Sequence, residues 1–225
     1  MIINHKHKFI FLKVQKTAST SIEIALSEHC DAGDILTPLH PDQEVIRTQT
    51  GYRGAQNYMI PLRDYTLNEM AQSIRHRKRR RYFNHSNAEA VLTHAGAEVW
   101  NSYFKFCFER NPYDKAISHY YWVTKDPRPD IADYLADTEE SYLSDWDIYT
   151  LNDQIAVDFI GRYENLEADL AKVSERLGLR LSPLQRTKDS YRTDKRAYRD
   201  VLDSRARAEI ERIFANELRT FDYHW

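Results

Sequence analysis

Apolar residues first gather in Lys8–Val14, where Phe9, Ile10, Phe11, Leu12 and Val14 form an aromatic and β-branched run that predicts a buried strand. The hydroxyl-rich segment Lys16–Ser21 interrupts it. Ile22, Ala25 and Leu26 then recur at the three- and four-residue spacing of a helix. The same order of strand, polar turn and helix returns at Tyr103–Phe108, which Arg110, Asn111 and Pro112 halt before the stripe Ala116, Ile117, Tyr120 and Tyr121. Pro112 suits a first helical position. A third strand is expected at Ile155–Ile160, and the helix after Glu164 carries Leu166, Leu170, Val173 and Leu177 until Gly178 stops it. A last helix places Ala206, Ile210, Ile213, Phe214 and Leu218 on one stripe. Strands alternating with helices predict an α/β fold of three layers, a mainly parallel sheet with helices on both faces.

The intervening segments are less regular. Asp31–Arg63 reads as loop with short irregular elements. A helix from about Tyr65 passes Leu67, Met70 and Ile74 and ends in the cationic run Arg75–Arg81, with Ser86 expected to cap a further short helix. Acids and two prolines dominate Asp126–Asp147, which reads as a surface excursion or lid. No repeat or linker divides the chain, so residues 1–225 are expected to form one domain with variable segments at 31–81 and 126–147.

Composition narrows the function. A hydrophobic fraction of 42% suffices for a core, and 32 basic against 34 acidic residues give a net charge of 32 − 34 = −2. That balance argues against wholesale binding to nucleic acid and leaves only local cationic patches. Cys30 and Cys107 fit neither a disulfide framework nor a zinc motif. The apolar run Phe9–Leu12 is too short for a signal-peptide core or a membrane span, so a cytoplasmic protein is expected.

In α/β folds, ligands sit at the carboxyl ends of the strands, where helix N-termini offer free N–H groups to anions. Lys16, Thr17, Ala18, Ser19, Thr20 and Ser21 occupy such a turn, with one cation and four hydroxyls suited to a phosphate or sulfate. The glycines of the nucleotide-triphosphate loop are absent, and spacing alone equally fits an ordinary capped helix start. In the second turn, Arg110 offers a planar fork of donors and Ser118 a hydroxyl. The competing reading there is an ion pair between Arg110 and Asp114.

Taken together, K-T-A-S-T-S after one strand and R-N-P-Y-D-K-A-I-S-H-Y-Y-W after another resemble the sulfotransferases that use 3′-phosphoadenosine 5′-phosphosulfate (PAPS). The likeness is to the branch containing carbohydrate O-sulfotransferases and bacterial relatives. His85–Trp100, Tyr103–Phe106, Gly161–Leu166 and the closing Phe214–Trp225 are similar to that branch as well. The resemblance implies a P-loop-like fold, a 5′-phosphosulfate held by Lys16, Thr17, Ser19, Thr20 and Ser21, and a 3′-phosphate held by Arg110 and Ser118. It implies further donor contacts from the polar loop with Lys188, Ser190 and Arg192. Gln15 and Glu109 depart from it, standing where the family often has proline and usually an apolar residue; a carboxylate beside Arg110 either weakens phosphate binding or points away.

The reaction implied is in-line sulfuryl transfer to an acceptor hydroxyl, releasing 3′-phosphoadenosine 5′-phosphate (PAP), with no metal expected. Lys16 is the candidate to stabilise charge on the bridging oxygen. A base active near neutral pH points to histidine, and the resemblance selects His85 over His94 and over His119, a neighbour of the donor site. The run Arg75–Arg81 is either a solvated helix end or a docking surface for an anionic saccharide. Tyr120–Trp122, Tyr142, Trp146 and Tyr149 are stacking or core aromatics. A P-loop phosphotransferase and a non-catalytic binder of anionic saccharides remain the alternatives.

Overall fold

The computed structural model describes residues 1–185 and 192–225. Strands β1 (Ile2–Asn4), β2 (Phe9–Phe11), β3 (Ile35–Leu36) and β4 (Phe104–Glu109) are followed by the hairpin β5 (Thr150–Leu151) and β6 (Gln154–Ile155), then β7 (Phe159–Arg162). The main sheet has the order β3-β1-β2-β4-β7. β2 pairs parallel with β4 and β4 with β7, whereas β1 is antiparallel to both β2 and β3, so four of the five strands point one way.

Alternation along the strands builds both faces of the sheet. Phe9, Phe11, Phe106 and Phe108 lie on one side with Ile22 and Leu26 of helix α1 (Ser19–Ser27) and Leu170 and Val173 of α10 (Leu166–Leu177). Ile10, Leu12 and Cys107 lie on the other with Val91 of α4 (Ala88–Ala95), Trp100 of α5 (Ala97–Ser102) and Tyr149 of α9 (Trp146–Tyr149). The expected three layers are therefore present. Beside them, α6 (Pro112–Val123), α7 (Ile131–Asp137), α8 (Glu140–Leu143), α11 (Tyr198–Val201), α12 (Ser204–Ile213) and α13 (Ala215–Phe221) frame a third apolar cluster around Tyr113, Ile117, Leu135 and Phe214.

Several elements depart from expectation for identifiable reasons. The strand expected at Ile155–Ile160 starts at Phe159, because Asn152 and Asp153 both take left-handed conformations and close β5 onto β6. Pro41 opens an unexpected helix, α2 (Pro41–Gln49), inside the segment read as loop. Helix α3 (Leu67–His76) opens with a reciprocal cap between Thr66 and Glu69 and closes at left-handed Arg77, so most of the cationic run lies beyond it. Asn87, not Ser86, caps α4; the Ser86 hydroxyl instead accepts from the Phe83 N–H at 2.8 Å. The acidic excursion is no detached surface feature, since Leu135, Leu143, Asp145 and Trp146 are all buried. The last stripe is two helices, broken at Phe214.

Gly161 of β7 is required by a close approach: a Cβ there would lie 2.4 Å from Cε1 of the fully buried Phe108 ring. Gly161→Ala is expected to destabilise the fold by about 1–3 kcal/mol, as overpacking does. Urea unfolding should show a lower midpoint at unchanged slope.

Candidate active site

The turn after β2 contains two left-handed residues that are not glycine, Lys16 (φ 60°) and Ala18 (φ 57°). Each costs on the order of 1 kcal/mol, so the surroundings must hold the turn in place. The buried Thr17 hydroxyl donates to the Val14 carbonyl at 3.1 Å, the Gln15 N–H donates to Asp145 Oδ2 at 2.9 Å, and Arg110 Nη1 donates to the Lys16 carbonyl at 3.3 Å. The chain then enters α1 with Ala18 at the cap, no side chain capping it and no acid in its first turn. Uncapped N–H groups with the dipole behind them suit this helix start to an anion.

Arg110 reaches this turn from the second one. Its guanidinium carbon lies 4.2 Å from the centroid of the Tyr163 ring, and its Nε is buried without a hydrogen-bond partner in the fold. Glu109 points away from it: its carboxylate takes the Arg110 N–H at 2.9 Å, the Lys115 ammonium at 2.8 Å and the Tyr149 hydroxyl at 3.1 Å. Lys115 also meets Asp145 Oδ2 at 2.9 Å. Burial pushes the Glu109 carboxyl up to about 7 against the pull of Lys115. The two carboxylates hold the Lys115 ammonium above its ordinary value despite its burial.

His85 stands at the rim of the same cleft. Its Nδ1 lies 2.7 Å from the Lys13 carbonyl. A carbonyl only accepts, so Nδ1 carries the proton and Nε2 keeps its lone pair in the neutral ring. The ring is open to solvent, yet the crowding cleft walls lower its pKa to about 4, with Lys13 adding to the effect and Asp145 opposing it. Lys13 itself is buried and paired with Glu23 at 2.8 Å. Glu23, sealed inside α1, also faces the Arg47 guanidinium at 3.5 Å.

Lys16, Ala18, Ser19, Thr20, Ser21, His85, Arg110 and Ser118 thus line one cleft of about 1110 Å³. Thr17 is not among the lining residues, its hydroxyl being committed inward. Arg192 engages Asp114 at 2.9 Å instead of lining the cleft, so Asp114 does not pair with Arg110. Lys188 and Ser190 lie outside the described residues. His94 is tied to Glu69 at 3.2 Å and to the Asp64 carbonyl. His119 is buried against Trp122 and Tyr134, burial lowering its pKa to about 4 with Lys16 contributing. Trp146 and Tyr149 are core residues, whereas Trp122 lines the cleft with the Lys16 ammonium 5.1 Å from its ring centroid.

Sequence reading missed Lys13, hidden as one charge at the end of an apolar run, and Asn84, His40, Gln43 and Lys195, which also line the cleft. Tyr163 had a signal, lying in the G-R-Y-E-N-L junction already singled out. Among the described residues no group of three or more His, Cys, Asp or Glu side chains is placed to hold a metal ion. No helix among them is long and apolar enough to cross a membrane.

The sequence profile of the sulfotransferase family matches residues 1–224. An uncharacterized protein from Archaeoglobus fulgidus is 34% identical over 95 residues, a match covering 40% of this chain and 79% of that protein. No solved structure matches the chain.

Glu109 titrates near 4.5 when exposed and at about 7 in the fold, so the folded state holds an extra proton between these values. Its contribution to stability is fully present below the lower value and is lost as pH rises through the upper one. The stability of the wild type relative to Glu109→Gln, which stays neutral throughout, should therefore fall as pH rises across that window. Urea unfolding at several pH values checks this, and a difference that is flat or grows with pH would refute it.

Proposed function

The chain belongs to the sulfotransferase family, and we propose that it transfers a sulfuryl group from PAPS to an acceptor hydroxyl, most naturally of a carbohydrate. The observation that carries this reading is the joining of the two anion-binding turns: Arg110, at the end of β4, donates to the backbone of Lys16 at the end of β2. The donor has two anionic ends, and two linked anion seats in one cleft match it. The residues present fit it in charge as well, and the Nε of Arg110 is left without a hydrogen-bond partner within the protein.

When bound, the donor supplies an activated sulfuryl group and a phosphate leaving group. The chain's own residues then divide the work. The N–H groups opening α1 and the hydroxyls of Ser19, Thr20 and Ser21 hold the 5′ end. Lys16 places its ammonium where charge builds on the bridging oxygen. Arg110, flattened against Tyr163, and Ser118 hold the 3′-phosphate. His85, fixed by the Lys13 carbonyl with Nε2 unprotonated at neutral pH, takes the proton of the acceptor hydroxyl at Nε2. His40 and Gln43 bring the 31–81 segment to the same cleft, which supports assigning the acceptor side to it, and Trp122 offers a ring face for a sugar or the adenine.

PAP with EDTA is expected to raise the melting temperature, by the amount ligand binding to the folded state dictates, and to do so more than ATP with magnesium. The reverse ranking would favour a phosphotransferase. Arg110→Ala should shrink the PAP-induced shift. His85→Ala should leave that shift in place while lowering turnover with labelled donor by roughly 10²–10⁴-fold, the usual share of a general base. Near wild-type turnover in His85→Ala would remove histidine from the mechanism.

A further inference from the structure

Helix α3 turns most of its apolar side chains outward. Its inner side carries the half-buried Met70 beside polar groups: the Glu69 carboxylate meets His94 at 3.2 Å and Arg80 at 3.6 Å, and the Ser73 hydroxyl is buried. Its outer side carries Leu67, Ala71 and Ile74, one stripe at spacings of four and three, with Leu67 91% and Ile74 73% exposed. An amphipathic helix normally buries that stripe. Leu62, just before the helix, and Phe83, after the cationic run, are also more than half exposed.

The charges around this stripe are mostly cationic, although Asp64 pairs with Arg63 at 3.7 Å. Arg63, Arg75, Arg77, Lys78, Arg79 and Arg81 are exposed, whereas the one acid between Asp64 and Phe83 is Glu69, already engaged inward. Arg81 lies over the Phe83 ring, its guanidinium carbon 5.0 Å from the centroid, which joins the cationic and apolar parts of the patch. A polyanionic saccharide would satisfy the cations and leave Leu67 and Ile74 in water. A bilayer of anionic lipid satisfies both, phosphate headgroups meeting the cations and the acyl boundary accepting the aliphatic side chains. We propose that α3 and the run Arg75–Arg81 form a surface that docks the protein on an anionic membrane, lying in the interface without crossing it. Only Asn84 separates Phe83 from His85, so this surface continues along the chain into the rim of the cleft. The proposal stands independently of the transferase reading, because nothing in it uses the donor site.

The test is co-sedimentation of the full chain with vesicles of phosphatidylcholine alone or mixed with phosphatidylglycerol, at low and high salt. Binding is expected to the mixed vesicles, about tenfold or more weaker to phosphatidylcholine alone, and to weaken with salt. The double variant Leu67→Asp with Ile74→Asp, and separately Arg77→Ala with Lys78→Ala and Arg79→Ala, should each lower the affinity about tenfold or more. Both sets are exposed, so the melting temperature should not move. Equal binding to both vesicle types overturns the proposal, as does vesicle binding that the aspartates leave unchanged. Heparin binding without vesicle binding would assign the surface to a saccharide. A dimer in light scattering that the aspartates dissolve, without vesicle binding, would assign it to a second copy of the chain.

Discussion

One buried ammonium holds the two halves of the cleft in register. Lys115 reaches from α6 to Glu109 at the end of β4 and to Asp145 in the acidic segment, all three side chains shielded from water. Ions taken out of water cost several kcal/mol each unless they meet partners at close range, so this arrangement tolerates little displacement of any member. Glu109 fixes the backbone from which Arg110 departs. Asp145 holds Gln15, the residue before the strained turn at Lys16 and Ala18. The positions of both cleft-lining turns therefore rest on the same charge.

A second buried group plays the corresponding part at the His85 side of the cleft. Glu23 inside α1 gathers Lys13 and Arg47; Lys13 in turn fixes the ring of His85 through its carbonyl. Lys13 thus spends its charge on the core and its backbone on the histidine. The cleft is lined by residues whose tautomer, rotamer or backbone strain is set from behind by buried ionic contacts, which is how positioning is obtained from a family fold with little chemistry of its own. The net charge of −2 conceals this division: buried pairs organise the cleft, while a predominantly cationic surface lies along α3 and the residues after it.

Much of this was readable from local pattern. The apolar runs around Phe9–Leu12 and Phe104–Phe108, the stripe of α10 and its stop at Gly178 were legible because period and breakers act within a few residues. Both polar turns were legible as candidate sites because hydroxyls, Lys16 and Arg110 follow strands closely. Less legible were β1, with three residues in a polar context, and the hairpin that displaced the third strand, where the Asn152–Asp153 turn carried the only clue. The acidic segment misled because composition reports charge and not packing; Leu135, Leu143 and Trp146 draw it into the third cluster.

The amino-acid sequence determined which chemistry each turn offers, since the residue types and their distance from a strand end are properties of the chain itself. Tertiary structure decided what each charge does. Whether Glu109 opposes Arg110 or turns away depends on Lys115, Asp145 and Tyr149 arriving from distant segments. Which nitrogen of His85 holds the proton depends on a carbonyl 72 residues earlier. Electrostatic interactions depend on distance and burial, and sequence separation fixes neither.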